Sequence, residues 1–240
     1  MPASSTTSGF PQQERLRRPR RPTSPKRRAA EVLKLLQQQQ GVPVWYQRYD
    51  PTTELVFTIL SQHTSDVNSE RAGHKLKATF SSWDAVADAD PALVAEAVKS
   101  AGLSKQKVPR IQETLKRVRE LTGDYDLTFL KEMPLADAKV WLKALPGVGP
   151  KTTAIVLSFA LGLPAMAVDV HIHRVTGRLG IIGPKVNANK AHDILEAMLP
   201  EDDIYGFHVA LIAHGRQVCK ALRPLCGDCV LRDACPGRRE

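Results

Sequence analysis

The sequence predicts an all-α protein. Apolar residues recur at helical spacing in about ten windows, short breaks carrying Gly or Pro separate them, and no window alternates with the two-residue period of a strand. With 240 residues and 42% apolar side chains, the chain has enough material for one large core or two small ones.

The first window starts at Ala29, where Val32, Leu33, Leu35 and Leu36 form a stripe that ends near Gly41 and Pro43. Pro51-Thr52-Thr53 is a start signal, and Leu55, Val56, Ile59 and Leu60 continue it at 3.6-residue spacing. Further windows follow at 67–79, 91–99, 106–121, 135–144, 151–162, 170–178, 188–198 and 204–215. Ala101-Gly102-Leu103, Leu145-Pro146-Gly147 and Gly183-Pro184 mark breaks between them. No fixed period links the windows, which disfavours a solenoid. The longest apolar stretch, Thr152 to Val168, contains Ser158 and is broken by Gly162 and Pro164. It falls short of the roughly 20 residues a bilayer span needs and reads as a buried helix.

Charge is concentrated at one end. Residues 1–28 hold eight basic side chains against Glu14 alone, which is +7 of the chain's +9 and leaves +2 for the rest. Five prolines and almost no apolar residues predict a disordered tail, because it cannot bury enough surface to offset its ordering entropy. Such a tail is a sequence-independent phosphate tether, an organelle-targeting peptide or a solvated extension. It lacks the apolar run of a secretory signal, so export is not expected.

Leu145-Pro146-Gly147-Val148-Gly149-Pro150-Lys151-Thr152 joins two helical windows. Two glycines and a proline ahead of a helix start let the backbone approach an anion closely, and the free amides there can bind a phosphate oxygen. An ordinary helix-helix turn has the same pattern, whereas a nucleotide P-loop needs a different glycine spacing. Lys151 falls in the first turn, where the macrodipole disfavours a cation. A lysine nucleophile must be neutral, and lowering its pKa by about 3 units corresponds to roughly 4 kcal/mol of differential interaction. Burial and the helix N-terminus both push that way.

Eighteen residues on, Val168-Asp169-Val170-His171-Ile172-His173-Arg174 places an acid at a helix start, as an N-cap or as a second catalytic group. His171 and His173 are two apart and share no helix face, which argues against a metal pair. All four cysteines follow the spacing Cys219-x6-Cys226-x2-Cys229-x5-Cys235. Four thiolates this close hold either a tetrahedral zinc or an iron–sulfur cube, and the spacing alone leaves both open. Lys220, Arg223, Arg232, Arg238 and Arg239 lie among or after them and could face phosphate.

The hairpin, Val168-Asp169-x-His171, His214-Gly215-Arg216 and the cysteine ending together resemble the endonuclease III family of helix-hairpin-helix DNA glycosylases, over roughly residues 30–238. The resemblance implies a six-helix domain at 50–163 and a second domain made of 29–49 plus 164–240, which carries a [4Fe-4S] cluster on Cys219, Cys226, Cys229 and Cys235. The active site would lie in the cleft between them. Lys151 would be the nucleophile at the sugar C1′, and Asp169 the carboxylate that activates it and stabilises the oxocarbenium charge. Gly147, Val148, Gly149 and Lys151 would contact the DNA backbone. Gln62, His63 and Leu103 match the segments that fill the duplex after the base is flipped. His63 stands where the family usually carries a glutamine plug, with Gln62 before it; Asp66 reads as a cap of the next helix.

The expected function is a bifunctional base-excision-repair glycosylase that removes oxidised pyrimidines and nicks the abasic site by β-elimination. The alternatives are a mismatch glycosylase, whose members usually lack a lysine at the Lys151 position, a glycosylase for another modified base, left open by His63 at the plug position, or a non-catalytic iron–sulfur DNA-binding protein. The expected partner is double-stranded DNA carrying damaged bases or abasic sites. A monomer with no membrane association is expected, in a bacterial cytoplasm at the nucleoid or in an organelle addressed by the tail.

Overall fold

The computed structural model describes residues 24–238, among which there are eleven α-helices and no strand. Ser24 opens α1 (Pro25–Gln40): its side chain accepts from Arg27 N, with Pro25 in the first helical position. The expected tail boundary at residue 28 is therefore corrected, because residues 25–28 are the first turn of a capped helix. Arg28 fastens that turn by donating to Leu179 O at 2.9 Å and Gly180 O at 3.0 Å. The rest of the expected tail, residues 1–23, lies outside the described residues, as does Arg239.

The chain continues through α2 (Pro51–Ser61), α3 (Asp66–Thr79), α4 (Trp83–Asp88), α5 (Pro91–Ala97), α6 (Ser104–Thr122), α7 (Leu135–Lys143) and α8 (Pro150–Ile155). It ends with α9 (Val170–Arg178), α10 (Ala188–Met198) and α11 (Glu201–Gln217). Side-chain oxygens cap many starts: Asp50 for α2, Ser82 for α4, Asp90 for α5 and Asn187 for α10. Ser65 caps α3 by accepting from Asn68 N, which corrects the reading of Asp66 as the cap; Asp66 is the first helical residue. The six residues of α4 are too short to show a period, and the sequence windows pass over them.

The window at 151–162 is not one continuous helix. α8 widens after Ile155 into a π-turn, Val156–Ala160, and the chain then runs irregularly to Asp169. Trp45 Nε1 donates to Ser158 O at 2.8 Å, so the indole satisfies a carbonyl in this turn.

Buried apolar residues fall into two clusters. One runs from Leu55 through Ala167 and includes α2 to α8; the other joins α1 to α9, α10 and α11, centred on Leu36, Ile172, Leu195 and Phe207. α2 is buried at every residue from Pro51 to Leu60, including the polar Thr52, Thr53, Glu54 and Thr58. Two ion pairs span the clusters: Lys139 with Glu196, and Asp66 with Arg216. Between the clusters, α2, α3 and α8 face α9 and α11 across an open pocket.

Candidate active site

The hairpin before α8 is shaped from inside. Leu145 and Val148 are buried in the first cluster, while Gly147 adopts a φ of 72° that suits a residue without a Cβ. Thr114 Oγ1 donates to Pro146 O at 2.7 Å and holds the turn on α6. The earliest intrahelical bond of α8 runs from Thr153 N to Gly149 O, at 3.0 Å. The amides of Gly149, Lys151 and Thr152 precede it and have no partner within the helix. Val148 has a buried side chain, and its N–H donates to Leu145 O at 3.2 Å.

Lys151 stands in the first turn of α8 and is exposed on the pocket wall, so the expectation of a buried lysine is not met. What sets it apart is its position at a helix start, facing a cleft that also contains Asp169. Asp169 meets both of its sequence readings. Its Oδ1 accepts from Ile172 N at 2.8 Å and caps α9, and the residue lines the same pocket as Lys151.

The pocket brings in groups the sequence left unremarked. Glu54 is fully buried inside α2 and accepts two bonds from Arg48, the shorter at 2.7 Å. His208 is buried on α11, and its Nδ1 is 2.9 Å from Ala167 O, which fixes that nitrogen as the donor of a neutral ring. Burial pushes its pKa down to about 4, against the upward pull of that carbonyl and of Asp169. Phe57 and Phe159 supply aromatic wall, with Phe159 edge-on to His208 at 5.1 Å. An acid in an otherwise apolar helix marked Glu54 in the sequence; nothing local marked His208.

His63 and Leu103 lie outside this pocket on two loops. Both are exposed, and they are the two non-glycine residues with positive φ among those described, at 55° and 50°. Neither is packed in the core, and Leu103 stands at the N-cap position of α6. Gln62 is half-buried, and its Oε1 accepts from Arg110 at 3.4 Å. Asp66 pairs with Arg216 at 2.6 Å. His171 accepts from Arg174, and His173 contacts Val186 O at 2.7 Å, so the two rings have separate partners.

The four cysteines are free thiols, and all of them line one pocket between α9, the end of α11 and the C-terminal turns. Among the described residues, no three His, Cys, Asp or Glu side chains converge closely enough for a single metal ion. Burial, and then the neighbouring thiols, push Cys229 and Cys235 above the usual thiol range. Ionising these two thiols therefore needs a compensating positive charge nearby. Arg178 donates to Cys219 Sγ at 3.3 Å, and His214 Nε2 lies 3.7 Å from Cys229 Sγ. Lys220, Arg223 and Arg232 are exposed around this pocket, with Arg238 half-buried.

Residues 56–201 match the model of the HhH-GPD superfamily base excision DNA repair protein, a span that takes in the hairpin, Lys151 and Asp169. The chain belongs to this family. Among curated HhH-GPD relatives, it is 35% identical over 186 residues to endonuclease III of Thermotoga maritima, covering 78% of this chain and 83% of that one. It is 33% identical over 194 residues to endonuclease III of Escherichia coli, covering 77% and 87%. A solved non-covalent endonuclease III–DNA complex superposes with a TM-score of 0.76 at 25% identity, covering 88% of this chain and 95% of the other. A thermostable thymine-DNA glycosylase shares the HhH-GPD fold at a TM-score of 0.72 and 22% identity. The family match, residues 56–201, stops short of the cysteine loop.

Proposed function

We propose that this base-excision-repair glycosylase and lyase removes oxidised pyrimidines from duplex DNA and cleaves the resulting abasic site through Lys151. The observation that supports this reading is that Lys151, in the first turn of α8, and Asp169, at the head of α9, line a single cleft between the two apolar clusters. Lys151 Nζ, once deprotonated, attacks C1′ of the flipped nucleotide as the bond to the base breaks and the base leaves with the electron pair. Asp169 stabilises the positive charge that develops on the sugar. Ring opening gives an imine between Nζ and C1′; loss of a C2′ proton then expels the 3′ phosphate, and water releases the lysine.

Damaged duplex DNA is the partner in this reading. The outward amides of the hairpin would hold its backbone, with His63 and Leu103 filling the gap left by the flipped base. The two apolar clusters support a division into a 50–163 domain and a second domain from the flanking segments. Cys219, Cys226, Cys229 and Cys235 would hold a [4Fe-4S] cluster. All four cysteines line one pocket, which supports a shared site for them. When bound, the cluster supplies a structural and redox-capable centre beside the DNA-facing cations. Among the described residues, no helix is long and apolar enough to cross a membrane. A monomer in a reducing bacterial cytoplasm suits four clustered cysteines that form no disulfide.

Borohydride reduction in the presence of abasic duplex DNA tests the nucleophile. The wild-type chain should form a covalent adduct and Lys151→Ala should not; an adduct of equal yield in the variant would assign the amine elsewhere. A panel of duplexes with single defined lesions tests the substrate class, and preference for a mismatched undamaged base would overturn it.

A further inference from the structure

α2 ends at Ser61 and the 3-10 turn Lys99–Ala101 ends at Ala101, each followed within three residues by a non-glycine residue in left-handed conformation: His63 after the first, Leu103 after the second. Both ends leave carbonyls that no further turn of helix will satisfy. One side chain serves both. Lys107 Nζ donates to Leu60 O at 2.7 Å and to Ala101 O at 2.8 Å, and the residue is only 2% exposed. No carboxylate pairs with it among the described residues, so the two carbonyls at the negative ends of these segments are what hold the cation.

The same face of α6 reaches further. Leu103 O accepts from Lys107 N at 3.0 Å at the helix start, Arg110 donates to Gln62 and packs against Gly147, and Thr114 holds Pro146 O. Residues 103, 107, 110 and 114 recur at helical spacing and so share a stripe of α6. Three surface loops from distant parts of the sequence thus hang on one helix face, with the buried ammonium at the point where two of them meet.

We propose that Lys107 is a positioning residue that sets the separation of the His63 and Leu103 loops, so that the two side chains enter a duplex together on one rigid edge. This rests on the reading of both loops as duplex-filling. A buried cation between two carbonyls is suited to the task because its removal leaves both acceptors unsatisfied. Burial also pushes the pKa of Lys107 down.

Lys107→Met keeps the length of the chain and removes the donors. On a duplex with one abasic site or oxidised pyrimidine, kcat/KM should fall roughly tenfold to a hundredfold, the scale of a small misplacement of a positioned group. Borohydride trapping on single-stranded abasic DNA, which has no opposite strand to fill against, should be unchanged. Equal losses on single-stranded and duplex DNA, or no loss on either, would overturn the proposal. Leu103→Ala provides the separate control: if it leaves duplex processing intact, the duplex-filling reading itself fails; if it impairs processing and Lys107→Met does not, only the positioning role fails. In the double variant the losses should fall short of the product of the single ones, and full multiplication would show independent action. Should Lys107→Met not fold, Lys107→Gln, which retains an amide donor on a shorter chain, is read in the same comparison.

Discussion

Asp66 Oδ2 and Arg216 lie 2.6 Å apart and tie the start of α3 to the end of α11 across the mouth of the cleft. Both side chains are about half exposed, at 62% and 49%, so solvent screens the pair and two ordered side chains lose rotamer freedom to form it. Asp66→Ala and Arg216→Ala should each lower stability by less than about 1 kcal/mol in chemical denaturation. Their effects on DNA should differ in sign. Arg216→Ala should weaken binding and reduce the slope of log K against log salt by about 1, whereas Asp66→Ala should tighten binding by freeing the guanidinium. An unchanged slope in Arg216→Ala would mean that Asp66 already consumes that charge.

Asp169 carries two duties that substitution can separate. Asn keeps an oxygen for the Ile172 amide, so Asp169→Asn should melt within a degree or two of wild type while turnover drops by about a hundredfold or more. Asp169→Ala should lose the same turnover and in addition about 1 kcal/mol of stability through the missing cap. Calorimetry paired with single-turnover kinetics distinguishes them. Full turnover in the Asn variant would leave Asp169 as a cap alone.

His208 predicts an acid limit. Its ring is held neutral in the fold with a pKa of about 4, while in the unfolded chain it titrates near 6.5. The unfolded state therefore takes up the proton first, so the stability is complete above pH 6.5 and declines as pH falls toward 4. The loss approaches about 3 kcal/mol at the bottom of that window. Burial lowers His192 and His214 as well, which steepens the same slope. Urea unfolding at pH 7 and pH 5 should give a smaller difference for His208→Gln than for wild type, and parallel curves would remove His208 as the source.

Truncation should show two thresholds. Removing residues 1–23 deletes five arginines and Glu14 but leaves Ser24 and its helix, so stability should hold while the salt dependence of DNA binding flattens. Removing residues 1–28 also deletes the cap and the bonds from Arg28 to Leu179 and Gly180, and should cost about 1 to 3 kcal/mol more. Equal melting temperatures for the two truncations would contradict the helical start at Pro25.

The legible part of this chain is the part written locally. Helices α9 and α10 coincide with the windows read from periodicity, and the hairpin, Asp169 and the cysteine spacing are contiguous patterns with few structural meanings. Lys151 was legible as a residue but not in its setting, because exposure depends on what packs beside α8. Lys107 shows the limit most plainly. In the sequence it stands between Lys105 and Arg110 with nothing to single it out, and only the arrival of α2 and the 99–101 turn above it turns a surface type of residue into a buried tie. The left-handed backbone of Leu103 was equally invisible, since its residue type disfavours it, whereas histidine is enriched there and His63 is the less surprising of the two.

The cap on α9 has a consequence for how this molecule can fail. With Oδ1 of Asp169 committed to Ile172 N, the rotation of the carboxylate is set by the first turn of the helix behind it. Fraying of that turn, by heat, by a proline nearby or by strain passed along from the cysteine pocket at the other end of α9, would swing the oxygen away from the cleft without unfolding anything else. A population of molecules could then keep its helices, its melting curve and its grip on DNA and still be silent, distinguished from the working ones by a single amide proton that exchanges too fast.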